Sequence, residues 1–157
     1  DGDPDDWERM IDTNIKGLLY VTRAVAPGMV ARRAGHIVNL GSSAGSEVYP
    51  GGAVYCATKH AVRALSQGMR QDLLPYGIRV SLICPGAVET EFSIVRFKGD
   101  NQRAASVYDG YTPLSADDIA RPIRFALTAP THVDLQDILV MPTAQADART
   151  IHRTPKS

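Results

Sequence analysis

The sequence lacks most of the features that would narrow its function at once. It has no excess of one charge, since 17 basic residues meet 17 acidic ones, so nothing points to a nucleic-acid or anionic-membrane surface. Cysteine is scarce. Cys56 and Cys84 are the only two; they sit in apolar segments without metal-ligand spacing and read as buried, reduced thiols of a cytoplasmic protein. No metal site is expected. No apolar run approaches the ~20 residues of a membrane span, and no signal-peptide pattern occurs. Internal repeats and low-complexity segments are also missing. An initiator methionine is missing too: the chain opens DGDPDDW, and the expectation is that it starts partway into a longer gene product.

What is present is one domain's worth of chain, 157 residues with 44% apolar content, enough to bury a core. Residues 5–31 read as a long amphipathic helix, with Trp7, Ile11, Ile15, Leu18, Leu19, Thr22, Ala26 and Met29 at helical spacing. Pro4 and its neighbouring aspartates suit a first helical turn, and Pro27 with Gly28 should kink or fray the far end. "GHIVNLGS" (35–42) reads as a strand buried on both faces. Residues 53–74 form a second helix whose small-residue face is Ala57, Ala61, Ala64, Leu65 and Met69. "YGIRVSLICPG" (76–86) is a second strand closed by a Pro-Gly stop. Residues 87–113 look irregular. Ser115, Asp117 and Asp118 then start a helix to about Thr128, and "LQDILVMP" (135–142) is the last strand. Long helices alternating with short apolar strands mean crossover units and a parallel α/β sheet. Three strands are too few for a sheet covered on both faces, so the pattern resembles the C-terminal half of a doubly wound, Rossmann-type domain.

Ligands in such sheets bind outside the carboxyl ends of the strands, and both ends here carry chemistry: "GSSAG" and "CPGAVET". Tyr55 and Lys59 stand four apart on one helix face. An ammonium beside a phenol favours phenolate, so a lowered tyrosine pKa is expected, and such a group exchanges protons with a substrate hydroxyl. Alone, the pair occurs by chance in roughly one of every few chains of this length and reads as an exposed lysine beside a half-buried tyrosine. It is not alone. Ser42 lies thirteen residues before Tyr55 at a strand exit, where a hydroxyl can donate to a carbonyl oxygen that becomes an alkoxide. Asn14 and Gly17 both sit mid-helix, where each is unfavourable, so a distorted turn is expected between them.

"NIKG", "IVNLGSSAG", the Ser42–Tyr55–Lys59 spacing and "PGAVET" together resemble the short-chain dehydrogenase/reductase family through nearly the whole chain. The resemblance implies Tyr55 as general acid/base and Lys59 lowering its pKa and holding the nicotinamide ribose. It further implies Ser42 polarising the substrate oxygen, with Ser43 its rival, and Asn14 anchoring a proton-relay water. Pro85 and Gly86 would lie against the nicotinamide, with the Val88 backbone and the Thr90 hydroxyl on its carboxamide and pyrophosphate side. "TEFSIVRFKGD" and the terminal "HVDLQDILVMPTAQ" are similar to the NADP-dependent 3-hydroxy acid (serine or allo-threonine) dehydrogenase branch. NADP is therefore the implied cofactor, with NAD left open. Arg96 could grip a substrate carboxylate bidentately, or Arg96 or Lys98 could instead pair with Asp100.

The glycine-rich phosphate loop and the ribose-binding residue of that family have no counterpart in these residues; they belong to a first half of about 90 residues in three βα units. The expectation is a catalytic half that would be inactive by itself. Two other readings stay open. One is a sugar-nucleotide epimerase or dehydratase, whose relatives share the tyrosine–lysine pair. The other is a non-catalytic association module, because in this family helices such as 5–31 and 53–74 pair across a dimer axis, giving a homodimer or homotetramer.

Overall fold

Strand β2 (Ile78–Pro85) fills the middle of a three-stranded parallel sheet, between β1 (Gly35–Leu40) and β3 (Asp137–Val140). The structure, a computed structural model, describes residues 2–154. Alternate residues of a strand face opposite sides, and β2 is apolar on one and mixed on the other, where Arg79 and Ser81 alternate with Ile83 and Pro85. Ile78, Val80, Leu82 and Cys84 pack with Ile37, Met69, Leu73 and Val62 on one side. Ile83 on the other is fully buried, as is Ala126. The register sets Leu40 beside Ile83 and Pro85 beside Val140, so the strands end along one edge of the sheet.

The first helical stretch has three parts: α1 (Pro4–Ile11), a π-helical segment Asp12–Gly17, and α2 (Leu18–Arg32). Asp3 caps α1 and Pro4 occupies its first position, as the sequence suggests. The distorted turn expected around Asn14 and Gly17 is this π segment, a geometry rare in helices and concentrated at functional sites. Pro27 neither kinks the chain to a stop nor frays it; α2 runs five residues further and ends where Arg33 turns left-handed, φ 51°. Leu18, Met29 and Val30 lie on the core, whereas Trp7, Ile11 and Leu19 of the same expected stripe stay exposed.

Helix α3 (Ala53–Leu73) packs across β2 with Cys56, Thr58, Val62, Ser66, Met69 and Leu73 buried. The small-residue face drawn from the sequence is therefore not the face packed on the sheet: Ala57 and Ala64 are exposed, while Met69 alone of that set is buried. Helix α6 (Ala116–Thr128), closed by a Ser115–Asp118 capping box, covers the opposite side of the sheet. Arg79 reaches from β2 to the carbonyls of Ala126, Ala129 and Val133 at that helix's end.

β1 is not buried on both faces, as its composition suggests. Ile37 and Asn39 are buried toward α2 and α3, but Leu40 on the other face is 53% exposed, because α6 lies over β2 rather than over β1. Residues 87–113 are not irregular throughout either. They hold the short helices α4 (Phe92–Arg96) and α5 (Asn101–Ser106). Both cysteines are free and buried. No helix among the described residues is long and apolar enough to cross a membrane.

Candidate active site

The loops leaving β1 and β2 meet the first turn of α3 around a cavity of about 730 Å3. Ser42, Tyr55, Lys59, Pro85, Gly86, Val88, Thr90 and Arg96 all line it, together with Ser43. Of the site residues singled out from the sequence, Asn14 stands behind the wall, and Lys98 does not line it either.

Ser42 leaves β1 in extended backbone and caps the tight turn Ser43–Gly45, its Oγ accepting from the Ala44 N–H at 3.1 Å. The same hydroxyl lies close enough to the Tyr55 phenol to favour its ionised form, which sets Ser42 rather than its neighbour beside the tyrosine. Gly45 allows this turn to lie flat on α3, since a Cβ there would come within 2.8 Å of the Lys59 carbonyl oxygen. Tyr55 also packs its ring on Phe92, centroids 5.5 Å apart.

The expected lowering of the Tyr55 pKa is reversed. Burial pushes the phenol above its ordinary value; the nearby Ser42 hydroxyl and the Arg96 guanidinium oppose that rise without cancelling it. Lys59 does not supply the missing pull. Its ammonium donates to the Leu40 carbonyl at 3.1 Å and lies 5.9 Å from the centre of the Tyr55 ring, not at its oxygen. Burial also holds the ammonium below its usual pKa, because a charge loses hydration there. Phenol and ammonium are each disfavoured in their ionised forms by the same enclosure.

Asn14 reaches α3 from behind. Its Nδ2 donates to Thr58 Oγ1 at 3.0 Å, and that hydroxyl donates to the Tyr55 carbonyl at 2.7 Å. The π segment is therefore tied to the backbone of the tyrosine itself. Thr58, 1% exposed, was not legible as a site residue from spacing alone. Thr58→Val keeps the shape but leaves the Asn14 amide without its acceptor. The expected cost is about 1–3 kcal/mol, read by urea denaturation; unchanged stability would show the contact to be incidental.

At the end of β2, Pro85 and Gly86 run into the cavity wall. A Cβ on Gly86 would come within 2.6 Å of Gln145 Oε1, and that oxygen accepts from the Ala87 N–H at 2.8 Å. Gln145, 8% exposed, thus shapes the Pro85–Ala87 turn from a distant part of the chain. Val88 gives its carbonyl to the Tyr108 hydroxyl at 2.9 Å, and its N–H lies outside the Ala87–Leu114–Glu89 pairing. Thr90 Oγ1 accepts from the Phe92 N–H at 3.2 Å, leaving its proton free to donate.

Arg96 ends α4 with its guanidinium over the rings of Tyr49 and Phe97, at 5.4 and 5.5 Å. It makes no ion pair among the described residues. The alternative pairing with Asp100 does not form: Asp100 caps α5 through the Arg103 N–H. Lys98 is bound to Asp3 and Asp6, each at 3.0 Å, so it is not a rival for an acidic substrate.

Residues 1–101 match the short chain dehydrogenase family. The chain belongs to that family. It is 50% identical over 152 residues to the NADP-dependent 3-hydroxy acid dehydrogenase YdfG of Salmonella typhi, covering 96% of this chain and 61% of that relative. An uncharacterized oxidoreductase of Mycobacterium tuberculosis is 51% identical over 148 residues, 94% of this chain and 59% of its own length. Among solved structures, the closed form of serine dehydrogenase complexed with NADP+ superposes with a TM-score of 0.92 at 48% identity, over 98% of this chain and 62% of that one. A serine dehydrogenase from Escherichia coli gives a TM-score of 0.77 at 41% identity, over 92% and 57%. The chain thus spans about three-fifths of the length of these relatives.

A short chain dehydrogenase needs a place for the nicotinamide riboside, and the residues present fit one. Lys59 is a half-buried ammonium that donates to the Leu40 carbonyl, so two of its three N–H donors remain for ribose hydroxyls. Tyr55 and Thr90 turn further hydroxyls toward the same cavity, which Pro85 and Gly86 floor.

Proposed function

We propose that the protein is an oxidoreductase moving a hydride between NADP(H) and a short 3-hydroxy acid or its matching carbonyl compound. The observation that carries this reading is the Ser42–Tyr55 hydroxyl pair facing a cavity that also holds Arg96 without an ion-pair partner. The relatives named above supply the cofactor and the substrate class. A nicotinamide held by Lys59, Pro85 and Gly86 would supply the hydride acceptor. Tyr55 takes the hydroxyl proton in oxidation and returns it in reduction. Ser42 donates to the same oxygen and steadies its developing charge. Lys59 holds the ribose, and Asn14 anchors a relay water through the π-helical backbone. Arg96 orients the carboxylate. The cytoplasm suits two free thiols.

A pH profile tests the proton step. Tyr55 must be ionised to act as a base and protonated to act as an acid. Oxidation should therefore rise with pH and reduction fall, the two sharing one apparent pKa. Ser42 and Arg96 both lower the phenol's pKa, so Ser42→Ala and Arg96→Leu should each move that midpoint to higher pH. A midpoint unmoved by both variants would assign the titration to another group. Oxidation of a neutral alcohol at the rate of a 3-hydroxy acid would refute the substrate class.

A self-association face accompanies this reading. We propose that a second copy covers the exposed Ala57 and Ala64 of α3 and Leu19, Val21 and Val25 of α2, giving a homodimer or homotetramer. Sedimentation equilibrium reporting a monomer at micromolar concentration would rule it out.

A further inference from the structure

Ser42 and Tyr55 belong to different elements, and their approach on the shared cavity wall depends on how the Ser43–Gly45 turn docks on α3. The turn is only three residues long, and its cap is supplied by Ser42 itself. Something must hold it against the helix, and one side chain reaches it from there. Arg63, one turn beyond Lys59 on α3, donates from Nε to the Gly45 carbonyl at 3.2 Å. From Nη1 it donates to Asp137 Oδ2 at 3.1 Å, and from Nη2 to Cys84 Sγ at 3.4 Å. Its planar fork therefore joins the turn after β1, the end of β2 and the start of β3 to the helix that carries Tyr55 and Lys59. Asp137 is itself fixed by Arg70, at 3.5 Å, so the anchor point does not depend on Arg63 alone.

We infer that Arg63 is a positioning residue for the Ser42–Tyr55 pair, holding the serine's turn in register with the tyrosine's helix through the Gly45 carbonyl. The inference rests on the proposed roles of Ser42 and Tyr55. Arg63 does not line the cavity, so it acts through the turn and not on substrate or cofactor. A lysine cannot replace it, because an ammonium lacks the fork that reaches three acceptors in fixed directions. Misplacement of a reacting group by ~1 Å costs up to ~100-fold in rate; loss of the Arg63 anchor on the Gly45 carbonyl should cost about a tenth of that.

The test is a double-mutant cycle in the full-length enzyme loaded with NADP+ and a 3-hydroxy acid. Arg63→Met should lower kcat about tenfold and leave KM and the NADP+ Kd, read by fluorescence titration, within about threefold. Arg63→Lys, which keeps the charge beside Asp137, should lose most of that rate as well. Asp137→Asn, which keeps the Gly45 contact, should lose little. In a Ser42→Ala background, Arg63→Met should cost nothing further, since the group it positions is gone. Wild-type kcat in Arg63→Lys would overturn the inference, and so would a full, additive loss on top of Ser42→Ala. Equal losses in Arg63→Lys and Asp137→Asn would mark a structural brace and overturn it too. A Ser42→Ala enzyme with undiminished kcat would instead strike at the role of Ser42, and the positioning role would fall with it. Should Arg63→Met not fold, the lysine and Asp137→Asn variants still decide the matter.

Discussion

Tyr55→Phe in the full-length protein should lower kcat by about 10²–10⁴-fold, the usual worth of a positioned proton donor, while NADPH affinity stays within about threefold. The substitution removes one oxygen and keeps the ring that packs on Phe92, so the cavity wall should survive. What is lost is the phenol oxygen that stands beside the Ser42 hydroxyl. Retention of a tenth of the rate would remove Tyr55 from the role given to it. Lys59→Ala provides the contrast. Its ammonium is assigned to the ribose and lies near the tyrosine ring, so affinity and rate should fall together. A Lys59→Ala enzyme that binds NADPH normally would separate the lysine from the cofactor.

Much of this site was legible in the sequence because its logic is local. The thirteen-residue interval from Ser42 to Tyr55 and the single turn to Lys59 survive in the structure as a shared cavity wall. Asn14 and Gly17 announced a distorted turn because each is unfavourable mid-helix for its own reason, and the π segment is that turn. The strands were legible for a similar reason: a buried parallel strand is an apolar run bounded by breakers.

What was not legible depends on enclosure and on contacts far apart in sequence. The direction of the Tyr55 shift could not be read from a neighbouring lysine, because burial acts on both groups and the ammonium is engaged by Leu40. Thr58, Arg63 and Gln145 work through partners 44, 18 and 58 residues away, separations at which spacing carries no signal. Which side the small-residue face of α3 turns could not be read, because alanines at helical spacing suit a core or an interface equally well, and only the packing on β2 decides between them.

Arg96→Leu should raise KM for 3-hydroxy acids about tenfold to a hundredfold and leave uncharged secondary alcohols or ketones little changed. A charge-assisted hydrogen bond to a carboxylate is worth roughly 1.5–3 kcal/mol, and the fork can make two. Because the guanidinium is exposed in this structure, solvent screening favours the lower figure. Leucine can still cover Tyr49, so the packing of the ring should not confound the result. Arg96→Lys should recover only part of the loss, since the ammonium has no planar fork. The sequence left open a second explanation, in which Arg96 ties down its own segment through Asp100. The structure gives Asp100 to the cap of α5 instead. Asp100→Ala should therefore fray that short helix without reproducing the acid-specific defect. Equal losses for charged and neutral substrates in Arg96→Leu would end the carboxylate assignment, and Lys98, held by Asp3 and Asp6, is not placed to inherit it.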